Sequence, residues 1–347
     1  MQIDIEKLQP PEKGRAIADL EISVRDRRRL EEIHSETTEG ERCLIHNFLA
    51  RVWDGNGDVL EVGTYLGGTT RCLGIGLVNN PYSTARLISC DMFQGYHKPA
   101  RLLQETKALW EPLQNALEVK AELEAGRWRK LFEQLHLSQD YGKRLSIFEG
   151  KLPDQQEDPF PDSIAGAIDS STQFGIVFVD GCKSWWSTKQ LMLRSVPKLP
   201  PGGWLIFQDF GRHTCIWISA FVSWFQNHLT PYATISGTYI FRYKGGLTPA
   251  KIAEFPDDPE KLDEQNIADL MHPLYRLAVR TNDLRAAYTF TVQHAALLAY
   301  SGKVRAGRAM LSHVDIPAFD LFVDTTESAM LTPTFSPTQP IYLVKPR

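Results

Sequence analysis

The stretch that decides the fold is VLEVGTYLGGTT (Val59–Thr70). Its pattern predicts a buried strand, then a glycine turn, then a helix that begins near Thr69. Gly63 allows the chain to turn sharply and a ligand to approach the backbone closely. Gly67 and Gly68 leave the start of the helix bare, so that free N–H groups and the positive end of the helix dipole are exposed.

Glu61 and Tyr65 indicate which ligand this turn binds. A dinucleotide-binding turn needs G-x-G-x-x-G so that a pyrophosphate can lie on the helix N-terminus. Here the glycines are spaced G-x-x-x-G, and Tyr65 occupies the place of the second glycine, where it would block a pyrophosphate. Glu61 is an acid near the end of an apolar strand, and its burial is costly unless a cation or hydrogen-bond donor meets it. The pattern favours, over a turn that is glycine-rich only for packing, a ligand with an ammonium-bearing amino-acid end and no phosphate, which is the shape of S-adenosylmethionine.

Five short apolar runs predict the strands of one sheet. They are Val59–Val62, Ala85–Cys90, Leu145–Phe148, Ile176–Val179 and Trp204–Phe207. They are unalternating and rich in Val, Ile, Leu and Phe, which is typical of parallel strands covered by helices on both faces. Thr234–Tyr243 (TISGTYIFRY) alternates more clearly and contains a Gly-Thr break, which predicts an antiparallel edge hairpin strand that closes the sheet. The predicted fold class is therefore α/β, with a Rossmann-like, mostly parallel sheet flanked by helices.

Changes in composition divide the chain into three parts. Residues 1–50 predict a helical N-terminal extension and residues 51–245 the ligand-binding domain. Residues 246–347 predict a helical C-terminal extension, which would cover the site or form the interface of a homo-oligomer. Within the domain, the polar segment Pro153–Ser171 contains several prolines and predicts a mobile loop.

Composition excludes several classes of protein. The 347 residues are 43% hydrophobic and 23% charged, as in a globular protein, and the formal net charge of −4 argues against a nucleic-acid partner. No window approaches the roughly 20 apolar residues that cross a bilayer, so no membrane partner is expected. The five cysteines are widely spaced, with no C-x-x-C pair, which favours a reducing cytoplasm over a disulfide framework.

Aspartates follow three of the predicted strands: Asp91, Asp180 and Asp209. The carboxyl edge of an open α/β sheet is where such folds bind ligands. Asp91 could accept the ribose hydroxyls of an adenosine, or it could simply cap a helix. The third strand ends at Glu149-Gly150, a candidate contact for adenine.

Two segments resemble the class I S-adenosylmethionine-dependent methyltransferases. The run FGIVFVDGCKSWWSTKQLMLRSVPKLPPGGWLIFQDF (Phe174–Phe210) and the Phe93-Gln94-Gly95 that follows Asp91 resemble the macrocin O-methyltransferase and cephalosporin-hydroxylase-like branch. The longer run is also similar to catechol and caffeoyl-CoA O-methyltransferases. The likeness extends from about Thr38 to Tyr243. It implies an O-methyltransferase that acts on a small-molecule hydroxyl of a sugar, a phenol or a natural product.

The resemblance also implies roles for individual residues. The candidate cofactor-binding residues are Glu61, Gly63, Tyr65, Gly67, Asp91, Met92, Glu149 and Gly150. In the related enzymes, acids at the positions of Asp180 and Asp209 hold a divalent cation such as Mg²⁺, which lowers the pKa of a substrate hydroxyl. Gln208 stands where the family has a second acid, so the metal requirement stays open.

The base that removes the acceptor proton has two candidates. Lys183, three residues after Asp180, matches the base of the catechol enzymes, but a surface lysine paired with Asp180 is the alternative. His213 lies near the expected mouth of the pocket and could be a base, a metal ligand or a packing residue. Trp185 and Trp186 are candidates for the wall of an acceptor pocket.

Two other functions are compatible with the same sheet. A nicotinamide-dependent oxidoreductase is disfavoured by Tyr65 and by the missing G-x-G-x-x-G. A non-catalytic module that binds S-adenosylmethionine is favoured by Gln208 and by the lack of a histidine after Asp180.

Overall fold

Seven strands form one sheet in this computed structural model, which describes residues 4–182, 184–210, 215–281 and 283–311. They are β1 (Asp58–Val62), β2 (Leu87–Asp91), β3 (Leu145–Glu149), β4 (Phe174–Val179), β5 (Trp204–Phe207), β6 (Leu229–Ile235) and β7 (Thr238–Tyr243). Their order across the sheet is β3-β2-β1-β4-β5-β7-β6. The first five strands are parallel, and β7 is antiparallel to β5. The predicted Rossmann-like, mostly parallel sheet is confirmed.

The predicted closing strand is one half of a hairpin. β6 and β7 pair antiparallel on either side of a turn at Ser236-Gly237. Thr234 and Ile235 still belong to β6, so the predicted strand Thr234–Tyr243 spans the turn. β7 lies against β5 and β6 forms the edge, which places the antiparallel strand one position inside the edge of the sheet.

Helices cover both faces of the sheet, as the unalternating strands predict. They are α1 (Pro10–Ala18), α2 (Val24–Glu31), α3 (Glu39–Asn47), α4 (Gly68–Asn79), α5 (Pro99–Glu105), α6 (Lys107–Trp110), α7 (Ala116–Glu124), α8 (Arg129–His136), α9 (Asp162–Asp169), α10 (Trp185–Ser195), α11 (Ile216–Trp224), α12 (Pro249–Ala253), α13 (Glu264–Thr281), α14 (Leu284–Tyr300) and α15 (Val304–Leu311). Within the described part of the chain, none of them has both the length and the apolar character needed to cross a bilayer.

The predicted mobile loop is helical in its second half. α9 occupies Asp162–Asp169 of the segment Pro153–Ser171. Ile164 and Ile168, four residues apart, are buried, so one side of this short helix packs into the protein. The prolines before it do not oppose a helix that begins only at Asp162.

The two faces of the sheet carry separate hydrophobic cores, because successive side chains of a strand point to opposite faces. Leu60 and Val62 of β1 belong to a core shared with α9–α11 and the C-terminal helices α12–α15. Val59 belongs to the opposite core, which it shares with α1–α5, α7 and α8.

The N-terminal helices are part of the second core. Ile17 of α1 and Leu44 of α3 are fully buried there. A Cβ atom on Gly14 of α1 would lie 2.2 Å from the carbonyl oxygen of Thr234, so this helix touches the backbone of β6. Residues 1–50 and the sheet thus share one core, and the domain boundaries at residues 50 and 245 stay predictions.

Candidate functional site

An open cleft lies at the carboxyl edge of the parallel strands. Its empty volume, including the part open to solvent, is about 1190 Å³. Segments at the ends of β1, β2, β3, β4 and β5 border it. The predicted site residues that border it are Gly63, Tyr65, Asp91, Met92, Gly150, Asp180, Gln208 and Asp209. The fold therefore assembles most of the predicted site from five separate segments.

The glycine turn after β1 is packed closely against its neighbours. Gly63 has φ +88°, and a Cβ atom there would lie 2.3 Å from the backbone nitrogen of Gly181. Gly67, the N-cap of α4, also has φ +88°, and a Cβ atom there would lie 2.0 Å from Nε2 of His136. The same Nε2 lies 3.1 Å from the carbonyl oxygen of Leu66, and burial lowers the pKa of His136 to about 3. The neutral imidazole thus supports the turn, and Gly67 is not among the described residues that border the cleft.

Gly63→Ala is expected to lower the free energy of unfolding by about 2–5 kcal/mol, since it combines a left-handed backbone with overpacking against a neighbouring backbone. Urea unfolding measures the change. Gly166→Ala is the matched control, because Gly166 is exposed on α9 with no atom within 4 Å of an added Cβ. That control should raise stability by about 0.5–1 kcal/mol. Equal effects of the two substitutions would contradict the close approach at Gly63.

Asp91 holds the glycine turn and also borders the cleft. Its Oδ2 accepts the backbone N–H groups of Thr64 (2.6 Å) and Tyr65 (3.0 Å), and its Oδ1 accepts that of Phe93 (2.7 Å). Burial raises the pKa of Asp91, and these donors act in the opposite direction. A carboxylate has about four acceptor positions. Three of these positions face backbone donors, so at most one is left for a direct hydrogen bond from a ligand hydroxyl.

Glu61 is a predicted cofactor residue whose carboxylate the structure does not place in the cleft. It is fully buried, and its Oε2 accepts hydrogen bonds from Thr70 of α4 (2.8 Å) and Ser89 of β2 (2.7 Å). Its Oε1 has no hydrogen-bond partner among the described residues. Burial raises the pKa of Glu61 to about 8, and the charges of Asp180 and Asp91 act in the same direction. Glu61 therefore joins β1, β2 and α4 beneath the turn, rather than presenting a charge to a ligand.

The end of β3 brings Gly150, and not the side chain of Glu149, to the cleft. Glu149 is exposed, and its Oε2 accepts a hydrogen bond from Arg129 at 3.0 Å. Gly150 borders the cleft, and its backbone nitrogen donates to the carbonyl oxygen of Asp91 at 2.9 Å. A contact with adenine at this strand end would therefore involve Gly150.

Asp180 and Asp209 border the cleft from the ends of β4 and β5, but the amide of Gln208 is committed to other partners. Its Nε2 donates to Glu41 at 3.1 Å, and its Oε1 accepts from the hydroxyl of Thr238 at 2.5 Å. Across the described ranges, no group of three or more His, Cys, Asp or Glu side chains is arranged to hold a metal ion. The described donors for a cation at this place are thus two carboxylates, without the third predicted ligand.

Four of the other predicted site residues are not placed at the cleft. Lys183 and His213 lie outside the described residues, and their roles stay predictions. Trp185 is buried, stacks on Phe255 with ring centroids 4.6 Å apart, and is therefore a core residue. Trp186 is not among the described residues that border the cleft.

Backbone strain is concentrated at the same edge of the sheet. The non-glycine residues with positive φ in the described part of the chain are Tyr65 (+48°), Phe93 (+50°), Asp209 (+60°) and Ser236 (+50°). Each follows the end of a strand that points to the cleft edge. Such conformations cost about 1–3 kcal/mol each and persist only where the surrounding structure holds them, which is most common at functional sites.

The loop between α2 and α3 forms one wall of the cleft, and the sequence does not predict this role. A Cβ atom on Gly68 would lie 2.4 Å from Cβ of Ser35, so the loop lies directly on the start of α4. Glu36 accepts a hydrogen bond from the hydroxyl of Tyr96 at 2.7 Å, and both border the cleft, as does Trp128. No local motif marks these residues, because their proximity arises only when distant segments pack.

A second, smaller cavity adjoins the cleft at the end of β5. Its empty volume is about 550 Å³. It shares Glu36, Gln208 and Asp209 with the cleft. Tyr239, whose hydroxyl donates to Asp283 at 2.9 Å, borders its other side. The lining is therefore predominantly polar.

Comparison with known families gives one match. Residues 60–210 match the model of the family described as "Methyltransferase domain". This segment begins in β1 and ends just after Asp209, so it contains the glycine turn and all three strand-end aspartates. No curated protein matches the sequence. The resemblance stated from the sequence is confirmed for this domain, and the particular branch stays a prediction.

Several solved methyltransferase structures are similar to this chain at low identity. CalS11, the TDP-rhamnose 3'-O-methyltransferase of calicheamicin biosynthesis, is 13% identical and aligns over 71% of this chain and 100% of its own, with a TM-score of 0.42. The O-methyltransferase of Bacillus cereus in complex with SAH is 12% identical over 68% and 98%, with a TM-score of 0.40. The O-methyltransferase NovP is 14% identical over 64% and 78%, with a TM-score of 0.37. These values are too low to indicate the acceptor of this chain.

Proposed function

We propose that this chain, whose residues 60–210 carry a class I S-adenosylmethionine-dependent methyltransferase domain, transfers a methyl group to a hydroxyl of a small-molecule acceptor. The observation that carries the proposal is one cleft bordered both by the glycine turn and by Asp91, Asp180 and Asp209. The turn and Asp91 would hold the cofactor, and the other two aspartates would face the acceptor.

The charge of the cleft supports a cationic cofactor over a diphosphate. Carboxylates outnumber the cationic side chains along its described lining, with Glu36, Asp91, Asp154, Asp180 and Asp209 against Lys151. S-adenosylmethionine carries a sulfonium and an ammonium against one carboxylate, and it supplies the electrophilic methyl group. A dinucleotide would place two negatively charged phosphates beside these carboxylates, and the like charges would repel each other.

The residues of this chain would position the acceptor and manage its proton. Methyl transfer is an in-line displacement, so the acceptor oxygen must be held in line with the methyl group, and its proton must be removed. Asp180 and Asp209 would orient the acceptor by accepting hydrogen bonds from its hydroxyl groups. The proton of the reacting hydroxyl would pass to Lys183, as the resemblance implies, or to His213.

The smaller cavity supports a polar acceptor. Its lining by Glu36, Asp209, Tyr239 and Asp283 offers several hydrogen-bond acceptors. A polyhydroxylated acceptor of the sugar type would satisfy these groups. A phenol whose only polar group is the reacting hydroxyl would leave most of these side chains without water and without a hydrogen-bond partner, which is costly.

A divalent cation fits the described residues poorly. Asp180 and Asp209 are suitable oxygen donors, but water or the acceptor would have to fill the other positions of a six-coordinate cation, because Gln208 is engaged by Glu41 and Thr238. We expect methyl transfer to continue in the presence of EDTA.

Calorimetry with S-adenosylmethionine tests the cofactor. The wild type is expected to bind S-adenosylmethionine and not NAD. Asp91→Asn should weaken S-adenosylmethionine binding by roughly 2–3 kcal/mol, since it removes a charged hydrogen-bond acceptor from the cleft. Asp54→Asn, in the exposed turn before β1, is the control and should bind normally. Unchanged affinity in Asp91→Asn would remove Asp91 from the site.

A transfer assay with methyl-labelled S-adenosylmethionine tests the reaction. We expect label to appear on polyhydroxylated acceptors in a library that also contains phenols. Cofactor binding without transfer to any hydroxyl would indicate a non-catalytic binding protein instead. Tight NAD binding without S-adenosylmethionine binding would indicate an oxidoreductase.

A further inference from the structure

Glu41 of α3 is a buried carboxylate whose two oxygens have different partners. It is 3% exposed. Its Oε2 accepts from the backbone nitrogen and the hydroxyl of Thr38, both at 2.8 Å. The hydroxyl of Thr38 in turn accepts from the backbone nitrogen of Glu41 at 3.3 Å. This half of the carboxylate forms a capping box, and it accounts for the start of α3.

The other oxygen reaches the functional edge of the sheet. Oε1 of Glu41 accepts from Nε2 of Gln208 at 3.1 Å and from the backbone nitrogen of Gly237 at 3.0 Å. The hydroxyl of Thr238 lies 3.1 Å from the same oxygen. A helix cap needs none of these contacts. They join the N-terminal helix α3 to the end of β5 and to the turn between β6 and β7.

Asp209 lies between Gln208 and Gly237, which both donate a hydrogen bond to Oε1 of Glu41. It follows Gln208 directly and has φ +60°. The next residue, Phe210, donates its backbone N–H to the carbonyl oxygen of Gly237 at 3.0 Å. An added Cβ on Gly237 would lie 3.5 Å from Cα of Asp209, so the two backbones are in contact. The left-handed turn at Asp209 is thus anchored before and after it, on Gln208 and on Gly237.

We propose that Glu41 is a positioning residue, which holds Asp209 in its left-handed conformation at the cleft so that its carboxylate faces the acceptor. The proposal rests on the proposed function, because it assigns Asp209 to the acceptor. The N-terminal segment thereby takes part in the reaction through the backbone of β5, without touching the reacting atoms.

The test compares Glu41→Ala with Thr38→Ala. Alanine has no side-chain acceptor, so the contacts to Gln208 and Gly237 are lost together with those to Thr38. Thr38→Ala removes only the hydroxyl of the capping box and leaves Oε1 of Glu41 in place. If Glu41 acts on Asp209, Glu41→Ala lowers kcat on the order of 10- to 100-fold with the KM for S-adenosylmethionine unchanged, because the acceptor is misplaced and the cofactor is not. Thr38→Ala lowers the thermal midpoint but leaves kcat close to the wild-type value.

Hydrogen–deuterium exchange of the segment 204–210 gives a second readout that needs no acceptor. Exchange there should be faster in Glu41→Ala and unchanged in Thr38→Ala. Equal effects of the two substitutions on exchange and on kcat would overturn the positioning role and leave Glu41 as a helix cap. A wild type that binds S-adenosylmethionine but methylates nothing would instead refute the proposed function, while the exchange comparison would still decide whether Glu41 anchors Asp209.

Discussion

Asp180→Asn is expected to reduce methyl transfer by about 10²-fold, the loss typical of a misplaced reactant, because Asp180 would orient the acceptor hydroxyl. Asp180 follows β4 at the centre of the sheet and borders the cleft. Its backbone nitrogen donates to the carbonyl oxygen of Val62 at 2.8 Å, so the main chain stays fixed when the side chain changes. Asparagine keeps the size of the side chain but loses its charge.

The measurement separates kcat from cofactor affinity. S-adenosylmethionine should bind the Asp180→Asn variant with nearly the wild-type dissociation constant, because the glycine turn and Asp91 are untouched. Asp169→Asn, at the exposed end of α9, is the control and should turn over normally. Normal turnover of Asp180→Asn itself would remove Asp180 from the reaction.

Glu61→Gln is expected to change how the stability of the cofactor-free protein depends on pH. Burial raises the pKa of Glu61 from 4.5 to about 8. Both folded and unfolded chains are protonated at Glu61 below pH 4.5, so the full stability is present there. Between about pH 4.5 and 8 the unfolded chain ionises while the folded one does not, and stability is lost. At 1.36 kcal/mol per pH unit, the loss approaches about 5 kcal/mol by pH 8.

Urea unfolding of both proteins from pH 5 to pH 9 measures this effect. Glutamine does not titrate, so Glu61→Gln should resemble the wild type near pH 5 and exceed its stability by several kcal/mol at pH 8. Parallel curves across the range would show that Glu61 is ionised in the folded protein. In that case a cation or a further hydrogen-bond donor would have to stabilise the buried carboxylate of Glu61.

Much of the fold follows from local sequence. The five parallel strands carry apolar residues on both faces because helices cover both faces, and this produces runs that are easily recognised. The predicted hairpin strand includes only the end of β6, because Leu229–Ala233, the first five residues of β6, precede the clearly alternating pattern. The helix α9 was predicted as loop because prolines and polar residues dominate the segment before it.

The sequence predicts the site residues that follow strand ends. It does not predict the contacts that depend on the packing of distant segments. Asp91, Asp180 and Asp209 follow strands, and the topology brings them to one edge. The pattern around Glu61 shows an acid before a glycine, but Glu61 lies on the same face of β1 as Val59, so its carboxylate is under α4. Gln208 is engaged by Glu41, which is distant in sequence, and no local pattern predicts such a pair.

The wall that Ser35 and Glu36 contribute has a practical consequence. A gene shortened to the ends of the family match, residues 60–210, would encode the sheet centre without α1–α3 and without the β6–β7 hairpin. Both faces of the sheet would then lose part of their apolar cover, because α1–α3 lie on one face and α11–α15 on the other. The cleft would also lose the wall formed by the loop between α2 and α3. The smallest piece worth expressing is therefore considerably longer than the piece that family comparison detects.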